Sequence, residues 1–208
     1  MTNLILASGS KNRIKALKIA KIPFTSIPAD IDEKEIKNKD IKKRVVEIAK
    51  AKVEKIISGE IIIPQADIFS KEIVEHSDNH FILGADGVNI VDGKILEKPS
   101  TENEAFDMIK AQSGKKSIFL TGYYAYNTKT KKEYSGISET TYTFREISDH
   151  EIHSYIETEP VLLWAAAFSP SNSMAITFIT SIKGSYSNFN HSLPFDQIIP
   201  ILKKEEII

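Results

Sequence analysis

Leu4 to Ala7 is a short apolar run that stops at Ser8-Gly9-Ser10, after which the period changes to helical and holds until Pro23. The pattern predicts a strand over 3–7, a tight turn of small residues and a helix from Lys11 to Ala20. "FTSIPADID" reads as extended chain and brings in Asp30, Asp32 and then Glu33. From Asp40 onward Ile41, Val45, Ile48, Ala49, Val53, Ile56 and Ile57 recur at helical spacing, and Gly59 supplies a stop. Residues 60–79, with Pro64 and the polar "HSDNH", read as an irregular surface excursion that has room for a short helix.

The second part alternates in the same way. "HFILGAD" is an apolar strand ending at Asp86, and "VNIVDGKIL" has the form of a hairpin turning at Asp92-Gly93. Thr101 with Glu104, and Ser148 with Glu151, stand at capping-box spacing ahead of two further helices; Gly114 closes the first of them. "SIFLTGYYAY" and "SETTYTFREI" are strand-like and joined by a Lys/Thr-rich turn, and "MAITFITSIKGSY" reads as one more strand. "LPFDQIIPILKK" reads as a closing helix, with Pro194 suited to its first turn and Pro200 expected to bend it. Strands and helices mixed without an internal repeat imply an α/β fold on a mixed, strongly curved sheet. No stretch reads as a linker, so residues 1–208 are taken as a single domain.

Composition narrows the chemistry. With 208 residues, 41% of them hydrophobic, the chain is long enough to bury a sizeable core. It has no cysteine, which removes disulfides, thiolate metal sites and a cysteine nucleophile. No apolar run approaches the roughly 20 residues of a membrane span, and no cleavable leader opens the chain. The expectation is a soluble, unexported, cytoplasmic protein with no membrane contact. A net charge of −1 argues against a nucleic-acid binder. That average hides an asymmetry: residues 1–60 carry 14 Lys/Arg against 8 Asp/Glu, and the rest carries 13 against 20. The excess is either a set of solvated helix faces or a basic wall toward an anionic small ligand.

Three features converge on phosphate. The strand-to-helix turn exposes backbone N–H groups and a helix N-terminus, and Ser8, Ser10 and Arg13 add hydroxyls and a guanidinium fork; the same pattern also serves an ordinary tight turn. Asp86 at a strand end is a metal-ligand or base candidate, or a turn-capping residue, and Glu33 is a second carboxylate within a charged, solvent-suited stretch. Lys52 within the long helix and Lys98 before Pro99 are cations on otherwise buried or tight segments. GxxxxGK[ST], GxGxxG and GxSxG are all missing. His150 and His153 have no third ligand nearby and read as surface residues, and Trp164 with Ala165 to Phe168 is either a stacking wall for a base or core packing.

In order along nearly the whole chain, "LILASGSKNR" resembles the LASxSPRR opening of the Maf family of nucleoside triphosphate pyrophosphatases. "AKAKVEKI" resembles that family's lysine-bearing helix, and "ILGADGVNIVDGKILEKP" its GADT…V…DG…LGKP segment. "IKAQSGKKSIFLTGYY" is similar to LSGxxHxVxTGV, and "SIKGSYSNFNHSLPF" to I-x-G-x-Y-x-N-V-x-G-L-P. The resemblance implies a Maf/inosine-triphosphate-pyrophosphatase-like fold with a cleft between two lobes. It also implies hydrolysis of a nucleoside triphosphate to the monophosphate and pyrophosphate with a divalent cation, Mg2+ or Mn2+. By matching position, Ser8, Ser10, Arg13 and Lys98 would bind substrate. Glu33 and Asp86 would handle the metal and the attacking water, and Lys52 would neutralise the triphosphate. It further suggests a homodimer.

The chain departs from the family pattern at Lys11-Asn12 in place of Pro-Arg, at Gly87 and Glu97, and over "LWAAAFSPSN" where the family has DKAGAYGIQG. Two functions therefore stand: an active, divergent pyrophosphatase, or a catalytically weak nucleotide-binding or regulatory protein.

Overall fold

A computed structural model of the chain describes residues 2–59, 79–171 and 173–208. The segment read as a surface excursion lies, except for Asn79, outside them. Among the described residues the strands are β1 (Asn3–Leu6), β2 (Thr25–Ser26), β3 (His80–Val91), β4 (Lys94–Leu96), β5 (Lys116–Asn127), β6 (Glu133–Phe144) and β7 (Ile179–Lys183). They form one mixed sheet in the order β2-β1-β3-β5-β6-β7, with β4 paired to β3. β1 runs parallel to both β2 and β3, with Ile5 opposite Thr25 and Leu6 opposite Leu83. β4 and β7 are antiparallel to β3 and β6. Among the same described residues the α-helices are α1 (Lys11–Ile19), α2 (Ile41–Ile57), α3 (Glu102–Gln112), α4 (Asp149–Thr158), α5 (Tyr186–His191) and α6 (Phe195–Lys204). None is long and apolar enough to cross a membrane.

Local chemistry sets most boundaries as expected. Ser10, Asp40, Thr101 and Ser148 each accept a backbone N–H at the start of a helix. Ser148 and Glu151 complete a reciprocal capping box, whereas Glu104 accepts from Ser100 N–H instead of Thr101, so that box is one-sided. Asp92 and Gly93 both have positive φ, 48° and 76°, which is the two-residue hairpin geometry read from the sequence.

Two expectations change. Asp86 does not end its strand: β3 continues through Gly87 to Val91, so the carboxylate projects from mid-strand. "MAITFITSIKGSY" is not one strand either. Ser173 caps a 3-10 turn over Met174–Phe178, which buries Ala175 and Phe178 three apart, and β7 starts only at Ile179. The side-chain cap and the spacing of buried groups outweigh the β propensity of Ile and Thr.

The chain makes two compact units. The first comprises Met1–Asp86, Thr121–Ile137 and His191–Ile208, the second Gly87–Leu120 and Ser138–Asn190. The core of the first packs Leu4, Leu6, Leu17, Phe81, Leu83, Leu193 and Leu202 together, with a second cluster of Ile5, Ala49, Val53 and Ile82. The second unit is centred on Tyr142, Phe144, Tyr155, Phe168 and Phe178.

In the first unit the C-terminal segment is tied down by Glu205, a buried carboxylate that accepts from Asn127 Nδ2 and the Tyr134 hydroxyl, with Lys132 Nζ 3.7 Å away. Burial alone would raise its pKa, but the two hydrogen bonds and the lysine outweigh that and hold it below the ordinary range. A lowered folded pKa means stability that is present above the unfolded value near 4.5 and is lost as pH falls below it. Glu205→Gln is therefore expected to lower stability at pH 7 by about 2 kcal/mol, the scale of hydrogen bonds to a charged group. The gap to wild type in urea unfolding should shrink as pH drops from 5 to 3; a constant gap would contradict this account.

Candidate active site

The first unit gathers a buried charged site from four distant pieces of chain. After β1 the backbone turns so that Ser8 N–H donates to Leu6 O (2.9 Å), and Ser8 O accepts from the Ser26 hydroxyl (2.7 Å). Ser8 Oγ accepts from Ser10 N–H (3.2 Å) and from Arg13 Nη1 (3.1 Å). Ser10 serves as the N-cap of α1, its Oγ 3.5 Å from Arg13 N. Arg13, one turn into α1, is only 8% exposed. Its Nε donates to Ser192 O (3.1 Å) and its Nη2 to Ser192 Oγ (2.8 Å). Of the five guanidinium N–H groups, three are thus used within the protein, and one on each terminal nitrogen is left for a ligand.

Across from this turn, α2 presents Lys52. Val45, Ile48, Ala49, Lys52 and Val53 form the buried face of that helix. It can lie directly on the sheet because β3 and β5 have glycines beneath it. A Cβ on Gly84 would sit 2.3 Å from Ala49 O, and one on Gly122 2.6 Å from Val45 C. Residues 84 and 86 share one face of β3, so the contact that seats Ala49 on Gly84 brings Lys52, one turn later, over Asp86. Lys52 Nζ lies 3.2 Å from Asp86 Oδ1 and 2.7 Å from Glu33 Oε1, the latter on a 3-10 turn over Glu33–Glu35. Lys52 and Asp86 are each 8% exposed; the Glu33 side chain is 47% exposed.

Burial lowers the Arg13 pKa, and the negative charges of Asp86 and Glu33 partly restore it. That coupling puts the serine-arginine turn and the carboxylates in one electrostatic environment. Two cations and two carboxylates balance to zero, which is what permits such a group to be buried. Among the described residues no group of three or more His, Asp or Glu is arranged to hold a metal ion. Glu33 and Asp86 are hard oxygen donors of the kind Mg2+ or Mn2+ takes when bound through one or two carboxylates and the phosphates of a substrate.

Residues 3–204 match the family described as Maf-like protein. The chain belongs to the Maf family. It is 30% identical over 210 residues to a dTTP/UTP pyrophosphatase of Ruminiclostridium cellulolyticum, covering both chains in full. It is 32% identical over 200 residues to one of Clostridium acetobutylicum, 96% of each. It is also 28% identical over 207 residues to a 7-methyl-GTP pyrophosphatase of Pseudomonas aeruginosa, 100% of this chain and 98% of that one.

In the second unit Ala165 to Ala167, within the stretch that departs from the family pattern, are held through their backbone carbonyls by side chains. Asn89 Nδ2 donates to Ala165 O (3.5 Å), Gln112 Nε2 to Ala166 O (3.1 Å) and the Tyr155 hydroxyl to Ala167 O (3.0 Å). The Tyr142 hydroxyl lies 3.0 Å from both Asn89 Oδ1 and Gln112 Oε1, and burial pushes the pKa of that phenol up. Ala166 and Ala167 adopt positive φ, 58° and 55°, a conformation costly for alanine. Trp164 packs against the core of this unit. His153 stacks on Phe106 at 4.8 Å, in keeping with a surface histidine.

The structure therefore brings Ser8, Ser10, Arg13, Glu33, Lys52 and Asp86 together within the first unit. Lys98 is an exposed residue of the second unit, between β4 and the buried Pro99. Two residues in contact with this cluster were not anticipated. Ser192 holds Arg13, and the fully buried Thr121 has its hydroxyl 3.4 Å from Ser192 Oγ. Both lie inside family-like segments, "FLTGYY" and "NHSLPF", yet nothing local distinguishes them from ordinary strand and turn hydroxyls.

Proposed function

We propose that the protein hydrolyses a nucleoside triphosphate to the monophosphate and pyrophosphate, with a divalent cation bound alongside the phosphates. The observation that carries this reading is the charge-neutral quartet of buried Arg13, Lys52 and Asp86 with the half-exposed Glu33, beside the Ser8 turn. Full-length relatives named as nucleotide pyrophosphatases support it.

In such a reaction the oxygen of a water bonds to the α-phosphorus, the α–β bridging oxygen leaves with pyrophosphate, and the water's proton must be accepted. Asp86 would orient the water and take that proton. Ser8 and the two remaining Arg13 N–H groups would hold phosphate oxygens, and Lys52 would offset charge gathering on the transferring group. Since the quartet sums to zero, the several negative charges of a triphosphate need a further cation. Glu33 and Asp86 would hold it, and it would polarise the phosphoryl oxygens. The same reading places the protein in the cytoplasm, where nucleoside triphosphates are held.

Pyrophosphate release from dTTP, UTP, 7-methyl-GTP and a set of normal, modified and deaminated triphosphates, each with Mg2+ or Mn2+, tests the proposal. Release on at least one of them, lost without the metal, is the expected outcome. No release above an Asp86→Ala control on any of them rejects it. Nucleotide-induced thermal stabilisation without turnover would favour the second reading, a binding or regulatory protein whose altered 163–172 segment has removed catalysis.

A further inference from the structure

Ser192 is a half-buried turn residue with its polar groups turned to Arg13 and Thr121. It sits between α5 and α6 with φ of 54°, in the left-handed region that a serine occupies at a cost relative to glycine. Such strain persists where neighbouring contacts over-determine the conformation, and here those contacts point at one side chain. The carbonyl and the hydroxyl of Ser192 together accept both N–H groups on one edge of the Arg13 guanidinium, Nε at 3.1 Å and Nη2 at 2.8 Å. An arginine edge usually takes a carboxylate in this way; here a single neutral residue does so. Because the hydroxyl accepts from arginine, its own proton is available to Thr121 Oγ1, 3.4 Å away and buried in β5. The preceding residue, His191, is hydrogen-bonded to the backbone of Asn12, so the same turn also touches the first turn of α1.

We infer that Ser192 is a positioning residue for the phosphates. Its clasp, backed by Thr121, fixes the plane of Arg13 so that the two unused guanidinium N–H groups and Ser8 Oγ face the ligand in a set orientation. This inference rests on the phosphate-binding role proposed above for the serine-arginine turn. A carboxylate in the same place would orient Arg13 but cancel its charge. A serine orients it and leaves the positive charge for the ligand.

The test is a double-mutant cycle of Ser192→Gly and Arg13→Lys, read by calorimetric titration with pyrophosphate and Mg2+ and by thermal unfolding of each protein. Glycine removes the hydroxyl and relieves the positive φ. The midpoint of unfolding should therefore hold or rise, while pyrophosphate affinity falls roughly tenfold, the scale of one hydrogen bond to a charged group. In the Arg13→Lys background, where the guanidinium edge is gone, the same change should have under a threefold effect. Ser192→Ala, which keeps the Cβ and its strain, should lose affinity as Ser192→Gly does.

Equal losses with and without Arg13, unchanged affinity in both single Ser192 variants, or absence of pyrophosphate binding by the wild type would each overturn the inference. If the cycle shows coupling but no triphosphate is hydrolysed, the clasp stands and the proposed activity fails.

Discussion

Asp86→Asn is expected to slow pyrophosphate release by roughly three orders of magnitude, within the range that a positioned acid or base contributes. Asparagine keeps the shape of the side chain but cannot accept the water's proton, and it contributes no charge to a bound cation. The fold should survive, because Lys52 keeps Glu33 as its partner at 2.7 Å. Single-turnover kinetics beside thermal unfolding is the appropriate measurement: a large fall in rate with a nearly unchanged midpoint. A variant that turns over within about tenfold of wild type would remove Asp86 from the chemistry, since a general base is worth at least ~10²-fold.

Lys52→Met should damage both activity and stability. The methionine fills most of the volume but leaves Asp86 and Glu33 facing each other without the cation between them. Removing one partner from a buried ion pair costs about 3–5 kcal/mol; with the Glu33 side chain 47% exposed, the lower end applies. For a chain of 208 residues this corresponds to a midpoint roughly 6–12 °C lower. Mutating Asp86 to Asn in the Lys52→Met background should restore much of that stability, because it removes one of the two opposed charges, while activity stays lost. If the double variant is no more stable than Lys52→Met, the lysine acts through packing and not as the counter-charge.

The contrast between these two variants depends on proximity that the sequence does not display. Asp86 and Lys52 are 34 positions apart, and Arg13 and Ser192 are 179 apart. Lys52 on a helix reads equally well as a solvated charge. What decides otherwise is Gly84, which lets the backbone of α2 come so near β3 that the next turn of the helix is over Asp86. The Gly84 signal was present in "ILGAD", but a glycine in a strand does not by itself name the helix that uses the space.

Departures from expectation have similar causes. Asp86 stands in mid-strand because β3 goes on to pair with β4, and β7 starts late because the Ser173 cap and the burial of Ala175 and Phe178 in the core outweigh the β propensity of the segment. The 163–172 segment is instructive in the opposite way. Its residue types depart from the family pattern, yet Ala165, Ala166 and Ala167 are held through their own carbonyls. Carbonyl contacts leave no trace in the identity of the residue that supplies them.

Period, caps and turn residues act over a few positions, so the order of strands and helices, the Asp92-Gly93 hairpin and the small-residue turn at Ser8 to Arg13 follow from the amino acids alone. So does the family, whose motifs span nearly the whole chain in order. The neutral pairing of two cations with two carboxylates, the capture of Arg13 by Ser192, and the burial of Arg13, Lys52 and Asp86 come only with the tertiary structure. Each of these joins segments separated by tens of residues or more, and the energy of a buried charge depends on which partner reaches it, which packing decides and no local pattern encodes.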